Sequence, residues 1–363
     1  MYIVLFFVIL AILVLIHEFG HFYAAKKSGV RVDEFGLGFP PRLWSKQVGE
    51  TLYTINAIPF GGFVKIFGEN PDEESISGPD STRSFVKIAK WKQVVILAAG
   101  ITMNVLFAWI LFSIAFMSGM TMGVSESVSK YVTNAHVIVL DTLPNSPSAK
   151  AGLVSGDEIL SYSIAGATTT ASTVEAVQNL IKDSKGKKIA LEVQRLGGNK
   201  YIEVTPEKGV LGDKYAIGIS MDLVGNVNLP FFTAFWEGAK LTGNMFVNIA
   251  GGLYTLIHDA FLGKADVSQL SGPVGIARLV GDASKLGFVY LLSFTAFISL
   301  NLAVLNLVPF PALDGGRILF VIIEAIIRRP ITPKIANTIN AVGFGFLLLF
   351  MLFVTYKDIA KLL

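Results

Sequence analysis

The sequence predicts a polytopic α-helical membrane protein with four transmembrane helices, a membrane-associated β-hairpin and an inserted α+β module. The 363 residues are 52% hydrophobic and only 16% charged, which is too apolar for an ordinary soluble domain. Four windows of about 20 residues or more are almost free of formal charge. Between the second and third windows, residues 134–223 change to short strands, glycine turns and charged side chains.

The four windows are each long enough to cross a hydrocarbon core of about 30 Å. They run from about Tyr2 to Ala25, Val94 to Gly119, Phe288 to Pro309 and Ile335 to Tyr356. The first window has no basic segment before it and no small-residue cleavage site. We therefore expect it to be retained as a span and not removed as a signal peptide.

The uncharged segment 241–257 leaves a second topology open. It contains three glycines and two asparagines and follows an aromatic-rich start, so we interpret it as an amphipathic helix in the membrane interface. The predicted order is therefore a first span at 1–25, a loop with the hairpin at 26–92, a second span at 93–120, the inserted module at 121–224, an interfacial segment at 225–286, a third span at 287–310, a loop at 311–334, a fourth span at 335–357 and a tail at 358–363.

The first span contains His17-Glu18-Phe19-Gly20-His21, which predicts a metal site. Histidines four residues apart project from one face of a helix, so both can bind one ion while Glu18 reaches a water on it. Polar side chains at membrane depth cost roughly 2.5–3.5 kcal/mol each, so they need a compensating function. The chain has no cysteine, which excludes disulfides and thiolate metal sites.

Topology brings a third ligand to the same side of the membrane. Spans one and three leave the membrane on one side, so Asp314 emerges near His21 although they are almost 300 residues apart. Two neutral imidazoles and one carboxylate leave a fourth tetrahedral position for water, which is typical of a catalytic zinc. Taken alone, Asp314-Gly315 would indicate only a turn.

The side of the membrane that carries the metal site is predicted to be the cytoplasm. The loop between Lys26 and Lys92 carries ten Lys and Arg residues, and the loop after the third span carries four more. The positive-inside rule favours this orientation. The net charge of +3 is small and does not indicate nucleic acid binding.

The inserted module resembles a PDZ domain. The resemblance is carried by residues 145–153 and by Gly156-Asp157-Glu158-Ile159-Leu160. We expect a helix over 172–183 and a hairpin of 189–193 with 201–204. Circularly permuted bacterial PDZ domains place the peptide-carboxylate loop last, which here is Ile217, Gly218 and Ile219. The literal Gly-Leu-Gly-Phe at 36–39 lies outside the module, and we reject it as that loop.

A hairpin that dips toward the membrane is predicted at about 51–67. The segment from Leu52 to Phe67 alternates imperfectly around Pro59-Phe60-Gly61-Gly62. An exposed strand edge can pair with an extended peptide by β-augmentation. Because a helix hides its peptide bonds, a transmembrane substrate must be held extended before water can attack it. Gly61 and Gly62 are therefore candidate substrate-binding residues.

Together these features resemble the site-2 protease family of intramembrane zinc metalloproteases, and within it the RseP type in a single-PDZ form. The resemblance is carried by His-Glu-x-x-His, by Asn-x-x-Pro-x-Pro-x-Leu-Asp-Gly-Gly over 306–316 and by the PDZ-like module between them. Residues 98–104 resemble the second-span motif, although Ile101 stands where a proline is often found, and residues 271–276 resemble an element ahead of the third span. Enterobacterial members of the family have two PDZ domains, so substrate gating by a tandem pair transfers poorly to this chain with its single PDZ-like module.

The resemblance implies residue roles. His17, His21 and Asp314 hold one Zn²⁺ per chain, and Glu18 takes a proton from water and passes it to the leaving amine. Asn306 is the candidate for holding the substrate backbone, and Asn301 and Asn104 are further candidates. Interhelical hydrogen bonding is the alternative role for these asparagines.

The resemblance also implies a setting. The substrates are single-span membrane proteins, such as anti-sigma factors, or signal-peptide remnants. The protein lies in the bacterial cytoplasmic membrane, with its active site near the cytoplasmic side. The PDZ domain lies outside the cytoplasm and acts as a size filter or binds new peptide C-termini.

Two other classes stay open on the sequence. A catalytically inactive relative would bind membrane proteins through the PDZ domain as an adaptor, but it would not need Glu18 and a full ligand set. A metal transporter would need polar residues along several spans, whereas here they cluster at one level.

Overall fold

The computed structural model describes residues 2–70, 73–124, 128–164, 167–195, 198–264, 271–329 and 331–360. The chain forms two compact units. The first comprises Met1–Ala115 and Phe231–Leu363, and the second comprises Phe116–Pro230. The module predicted at 121–224 lies within the second unit, which we call the inserted unit.

The first part of the chain forms a long helix, a strongly bent two-stranded sheet and a second long helix. Its elements are α1 (Tyr2–Lys27), β1 (Val32–Val48), β2 (Thr51–Ile66), α2 (Glu73–Ser77) and α3 (Lys90–Met117). The helix α3 begins at Lys90, a few residues before the predicted span, so Lys90 and Lys92 belong to its first turns.

The inserted unit is an antiparallel sheet with two helices. Its elements are β3 (Met120–Gly123), β4 (Val132–Thr142), α4 (Pro147–Ala151), β5 (Glu158–Ile164), β6 (Ala167–Thr170), α5 (Val174–Asp183), β7 (Ile189–Arg195), β8 (Gly198–Val204), β9 (Glu207–Leu211), β10 (Lys214–Ala216) and β11 (Ile219–Val227). The order of the main sheet is β3-β11-β4-β5-β7-β8, with β6 paired to β5, while β9 and β10 form a separate hairpin.

The core of the inserted unit lies between this sheet and α5. Val177 and Ile181 on one face of α5 pack with buried residues of the sheet such as Leu191. The predicted helix is present, and Thr173 caps it by accepting a hydrogen bond from the backbone N–H of Ala176 at 3.1 Å. The predicted hairpin is present as β7 and β8.

The last part of the chain is helical. Its elements are α6 (Phe231–Phe261), α7 (Pro273–Leu286), α8 (Phe288–Leu307), α9 (Asp314–Ile327) and α10 (Pro333–Ala360). Near its C-terminal end, α10 is joined to the first turn of α7, because the carboxylate of Asp358 accepts a hydrogen bond from the N–H of Gly275 at 2.7 Å.

Four helices in the described part of the chain are long and apolar enough to cross a membrane: α1, α3, α8 and residues Lys334–Ala360 of α10. They correspond to the four predicted spans. The helix α6 is not among them, although it has 31 residues. Its exposed aromatic side chains include Phe232, Trp236 and Phe261. An interfacial position for α6 stays a prediction.

The prediction that residues 51–67 pair with each other as a hairpin is wrong. Residues 51–66 form one strand, β2, and the two arms on either side of Pro59–Gly62 do not pair with each other. Residues 34–37 of β1 lie between them, paired with 62–65 on one side and with 52–55 on the other. A turn pattern inside one segment cannot reveal that an earlier strand separates its arms. The rejected Gly36–Phe39 stretch belongs to this β1 strand.

Around the helices of the first unit, two apolar clusters form the core. One contains Phe6, Ile9 and Leu13 of α1 with Ala277 and Val280 of α7. The other joins the C-terminal end of α1 to the start of α3, the sheet and Val321 of α9.

Ion pairs hold the short helix α9 in place. Arg317 pairs with Glu69, which follows β2, and Glu324 accepts from Lys90 of α3 at 2.5 Å. The short apolar run at 318–327, with Glu324 inside it, forms the body of α9.

A buried ion pair stabilises the inserted unit. The side chain of Asp157 is fully buried, and its two oxygens accept from Nε and Nη2 of Arg195, each at 2.6 Å. Burial alone would raise the pKa of Asp157, but the Arg195 guanidinium and the N–H of Val154 outweigh it and hold that pKa below its ordinary value. The pair favours the folded state wherever Asp157 is ionised.

We predict that Asp157→Asn lowers the free energy of unfolding of the inserted unit at pH 7 by about 1.5–3 kcal/mol, because a charged hydrogen-bond acceptor is lost. A carboxyl group with a lowered folded-state pKa stabilises above its unfolded pKa and ceases to do so as the pH falls. The difference between the two proteins should therefore persist down to about pH 4 and shrink below it. Hydrogen exchange of the backbone amides of β5 and β7 in the full chain measures this difference in the free energy of unfolding.

The matched control is Asp141→Asn. This exposed side chain bonds only the N–H of the next residue, so exchange should stay as in the parent protein. Equal exchange of the Asp157→Asn variant and the parent protein at pH 7 would show that the ion pair does not stabilise the unit.

Candidate active site

The two histidines of the first span project from one face of α1. His17 and His21 are both buried, and their Nε2 atoms lie 3.1 Å apart. The rings meet edge to face with centroids 4.7 Å apart. One helical turn separates the two residues, so the helix itself sets this spacing.

Asp314 joins the histidines from the other end of the chain. Its Oδ2 lies 3.0 Å from Nε2 of His17 and 3.3 Å from Nε2 of His21. Among the described residues these three form the group of side chains that could hold a metal ion. The structure therefore brings together the three ligands predicted from sequence.

The geometry of the three atoms fits a shared cation. In a tetrahedral site with metal–ligand distances of about 2.0–2.1 Å, the ligand atoms lie about 3.3 Å apart. The observed separations of 3.0, 3.1 and 3.3 Å are close to that spacing. Oδ2 of Asp314 is buried and has no hydrogen-bond partner among the described residues, although both nitrogens face it. Two imidazoles and a carboxylate are a typical donor set for catalytic zinc.

Two glycines allow α9 to begin where it does, and so place Asp314. A Cβ atom on Gly315 would clash with the carbonyl groups of Leu307 and Val308 at the end of α8, and one on Gly316 would clash with the carbonyl of Phe310. Asn340 of α10 accepts a hydrogen bond from the N–H of Ala312 at 3.2 Å. The Leu-Asp-Gly-Gly sequence is therefore needed for close packing as well as for its carboxylate.

The helix α3 forms the back wall of the site. A Cβ atom on Gly100 would lie 2.7 Å from Cε1 of His21 and 2.8 Å from Cε1 of His17. The carbonyl oxygen of Ile96 lies 2.9 Å from Nδ1 of His21. The contact of this glycine with the histidines was not predicted, although the resemblance of residues 98–104 to the second-span motif had indicated that this part of the span matters.

Glu18 lies beside the ligands and next to β2. It interacts electrostatically with His21, His17 and Asp314. A Cβ atom on Gly62 would lie 3.7 Å from Cγ of Glu18, and one on Gly61 would lie 3.6 Å from Cγ1 of Val14. The glycine stretch of β2 therefore passes alongside the face of α1 that carries Glu18.

The three predicted asparagines differ in their surroundings. Asn104 is fully buried on α3, and its Nδ2 lies 3.3 Å from Nδ1 of His17. Asn301 donates to the carbonyl of Phe297 on its own helix at 2.8 Å. Asn306 is half-buried in the last turn of α8. Substrate contacts by these residues stay predictions.

The predicted peptide loop of the inserted unit joins β10 to β11. Ile217 belongs to the core of that unit. The carbonyl of Gly218 accepts hydrogen bonds from the N–H of Leu143 at 2.8 Å and from Oγ of Ser148 at 3.1 Å. Ile219 begins β11. Peptide binding by Ile217, Gly218 and Ile219 stays a prediction.

We predict that Gly100→Ala lowers zinc affinity, on the order of 10–100-fold, because the added methyl group forces the two imidazoles from their positions. The measurement is zinc retained by the detergent-purified protein during titration with a chelator. Gly243→Ala on α6 is the matched control, since a Cβ atom there meets nothing within 4 Å. Unchanged affinity in Gly100→Ala would mean that α3 does not confine the histidines.

Comparison with known proteins agrees with this site. The model of peptidase family M50 matches residues 5–350. A protein of Clostridium perfringens is 36% identical over 99% of this chain and 98% of its own length. A protein of Clostridium acetobutylicum is 33% identical over 96% of this chain and 94% of its own length. A protein of Nostoc sp. is 32% identical over 98% of this chain and 94% of its own length. The names of all three assign them, provisionally, to the zinc metalloproteases. The chain therefore belongs to peptidase family M50, the site-2 protease family, and is a multi-pass membrane metalloendopeptidase.

Proposed function

We propose that this metalloendopeptidase hydrolyses peptide bonds within or near the transmembrane segment of single-span membrane proteins. The observation that carries the proposal is the position of the ligands. His17 and His21 lie in the interior of α1, a helix of 26 residues that is apolar enough to cross a membrane. Peptide bonds that reach this site are therefore at membrane depth. Anti-sigma-factor-like proteins and signal-peptide remnants are the proposed substrates.

His17, His21 and Asp314 would hold one zinc ion per chain. When bound there, zinc supplies a Lewis acid that makes water acidic near neutral pH and polarises a peptide carbonyl. Glu18, next to the ligands, accepts the proton of the attacking water while the oxygen forms a bond to the carbonyl carbon. As the C–N bond breaks, the same carboxyl group gives its proton to the leaving amine, so Glu18 ends in its starting form.

The strand β2 supports presentation of an extended substrate. Residues 62–65 pair with β1 on one edge, and no strand in the described ranges pairs with their other edge. Gly62 lies beside Glu18, so a substrate strand added at that edge would run close to the catalytic carboxylate. Because Gly61 and Gly62 have no side chains, they leave space for the substrate backbone. Asn306, and then Asn301, are proposed to bind the same backbone from α8.

The inserted unit is proposed to be a PDZ domain that faces away from the cytoplasm in a bacterial cytoplasmic membrane. Support comes from its helix and sheet order and from the excess of Lys and Arg in the loops on the other side of the spans. Its proposed partners are peptide C-termini, at the loop of Ile217, Gly218 and Ile219, and it would limit which substrates reach the site.

Glu18→Gln should abolish cleavage of a single-span substrate, with a loss of about 10²–10⁴-fold, because the proton acceptor is removed. Zinc content and membrane insertion should stay near those of the parent protein. The assay is cleavage of a purified single-span substrate in detergent or liposomes. Glu73→Gln, at an exposed position on α2, is the matched control. Undiminished cleavage in Glu18→Gln would exclude the proton transfer described above.

Asp314→Asn should act differently, because it removes a charged ligand and not the base. We expect zinc affinity to fall by at least 10-fold, with cleavage falling in parallel and recovering partly at high zinc. Chelator competition measures the affinity. Asp282→Asn, at an exposed position on α7, is the control for loss of one negative charge. Full zinc affinity in Asp314→Asn would remove Asp314 from the ligand set.

A further inference from the structure

Asn104 is placed between His17 and a third helix. It is fully buried on α3, and among the described residues its amide bonds His17, at 3.3 Å between Nδ2 and Nδ1. Its main-chain oxygen accepts a hydrogen bond at 2.8 Å from Oγ of Ser299 on α8. Ser299 is also fully buried. Ser299 thus links α8 to α3, and Asn104 links α3 to α1, close to the proposed metal ligands.

Metal binding fixes the proton on each imidazole. Nε2 of both histidines faces Asp314, so Nε2 is the nitrogen that would bond a zinc ion held by these residues. The neutral ring must then carry its proton on Nδ1, which can only donate a hydrogen bond. Nδ1 of His21 has an acceptor, the Ile96 carbonyl at 2.9 Å. Nδ1 of His17 needs an acceptor as well.

The amide of Asn104 can supply that acceptor. An NH₂ group cannot accept a hydrogen bond from Nδ1–H, but the carbonyl oxygen of the same side chain can. The two ends of an amide are alike in size, so a rotation by 180° exchanges them without other movement. In the present orientation Oδ1 is buried and has no hydrogen-bond partner within the described residues. The rotation would pair Oδ1 with His17 and leave Nδ2 without a hydrogen-bond partner among the described residues.

We propose that Asn104 is a positioning residue of the zinc site: its Oδ1 accepts the Nδ1–H of His17 in the zinc-loaded protein. This inference rests on the proposed zinc site and deepens it. Outer hydrogen bonds of this kind fix the orientation of a ligand ring and increase its basicity. The bond to Ser299 in turn holds the backbone of Asn104. The second-span asparagine therefore acts on the metal through a ligand and not through the substrate.

The test compares three variants of the full-length protein in detergent, with zinc affinity from chelator competition as the readout. Asn104→Leu keeps the approximate shape and removes the acceptor, so affinity should fall 10–100-fold. Asn104→Asp keeps an acceptor oxygen at the same place and should restore affinity to within a few-fold of the parent. Thr102→Val is the control on the same helix, since its hydroxyl is exposed and bonds only the Ala98 carbonyl.

The outcomes separate this inference from the proposed function. Weak zinc binding by the parent protein would contradict the metal site itself. Tight zinc binding by the parent with equal affinity in Asn104→Leu would overturn only the role of Asn104. Equal losses in Asn104→Leu and Asn104→Asp would overturn it too, because an acceptor oxygen at the same place would then not restore the affinity. The role of Asn104 is supported if zinc affinity falls in Asn104→Leu and recovers in Asn104→Asp while the zinc-free proteins have equal thermal stability.

Discussion

The convergence of two imidazoles and one carboxylate inside apolar helices is the constraint on which the rest of the first unit depends. Polar groups buried among apolar side chains are unfavourable unless they are paired, and charged groups more so. Oδ2 of Asp314 is buried without a hydrogen bond from the described residues, beside two nitrogens that a cation would bring together. A metal ion held by these three side chains, as proposed, would make this arrangement favourable and would link folding of the site to metal binding.

Bringing those groups together requires helices that approach closely. The histidines leave no room for a side chain at position 100 of α3, and the start of α9 leaves none at positions 315 and 316. Small residues at helix contacts are typical of membrane proteins, where packing replaces the hydrophobic effect between helices. Polar contacts then hold the short helix α9, through Glu69 and Lys90, and its preceding loop, through Asn340. These contacts fix a carboxylate that its own short helix could not hold in place.

The sheet of β1 and β2 gives the site a second property. The glycine stretch of β2 lies beside Glu18, and its edge opposite β1 has no paired strand in the described ranges. A hydrolase at membrane depth must present a peptide bond that a helical substrate conceals. A strand edge offers backbone hydrogen bonds to an extended segment, which is the role proposed for this strand.

The sequence by itself determined four helices that are long and apolar enough to cross a membrane, because hydropathy acts locally. From helical spacing and topology it also predicted the meeting of His17, His21 and Asp314. It also determined α5 and the β7–β8 hairpin, whose patterns lie within single segments. It failed where the partner lies elsewhere in the chain. Only the tertiary structure showed that β1 separates the two arms of β2, that Gly100 and Ile96 of α3 confine the histidines, and that Asn104 contacts His17. Strand partners and outer hydrogen bonds depend on packing between distant segments, and no local pattern encodes them.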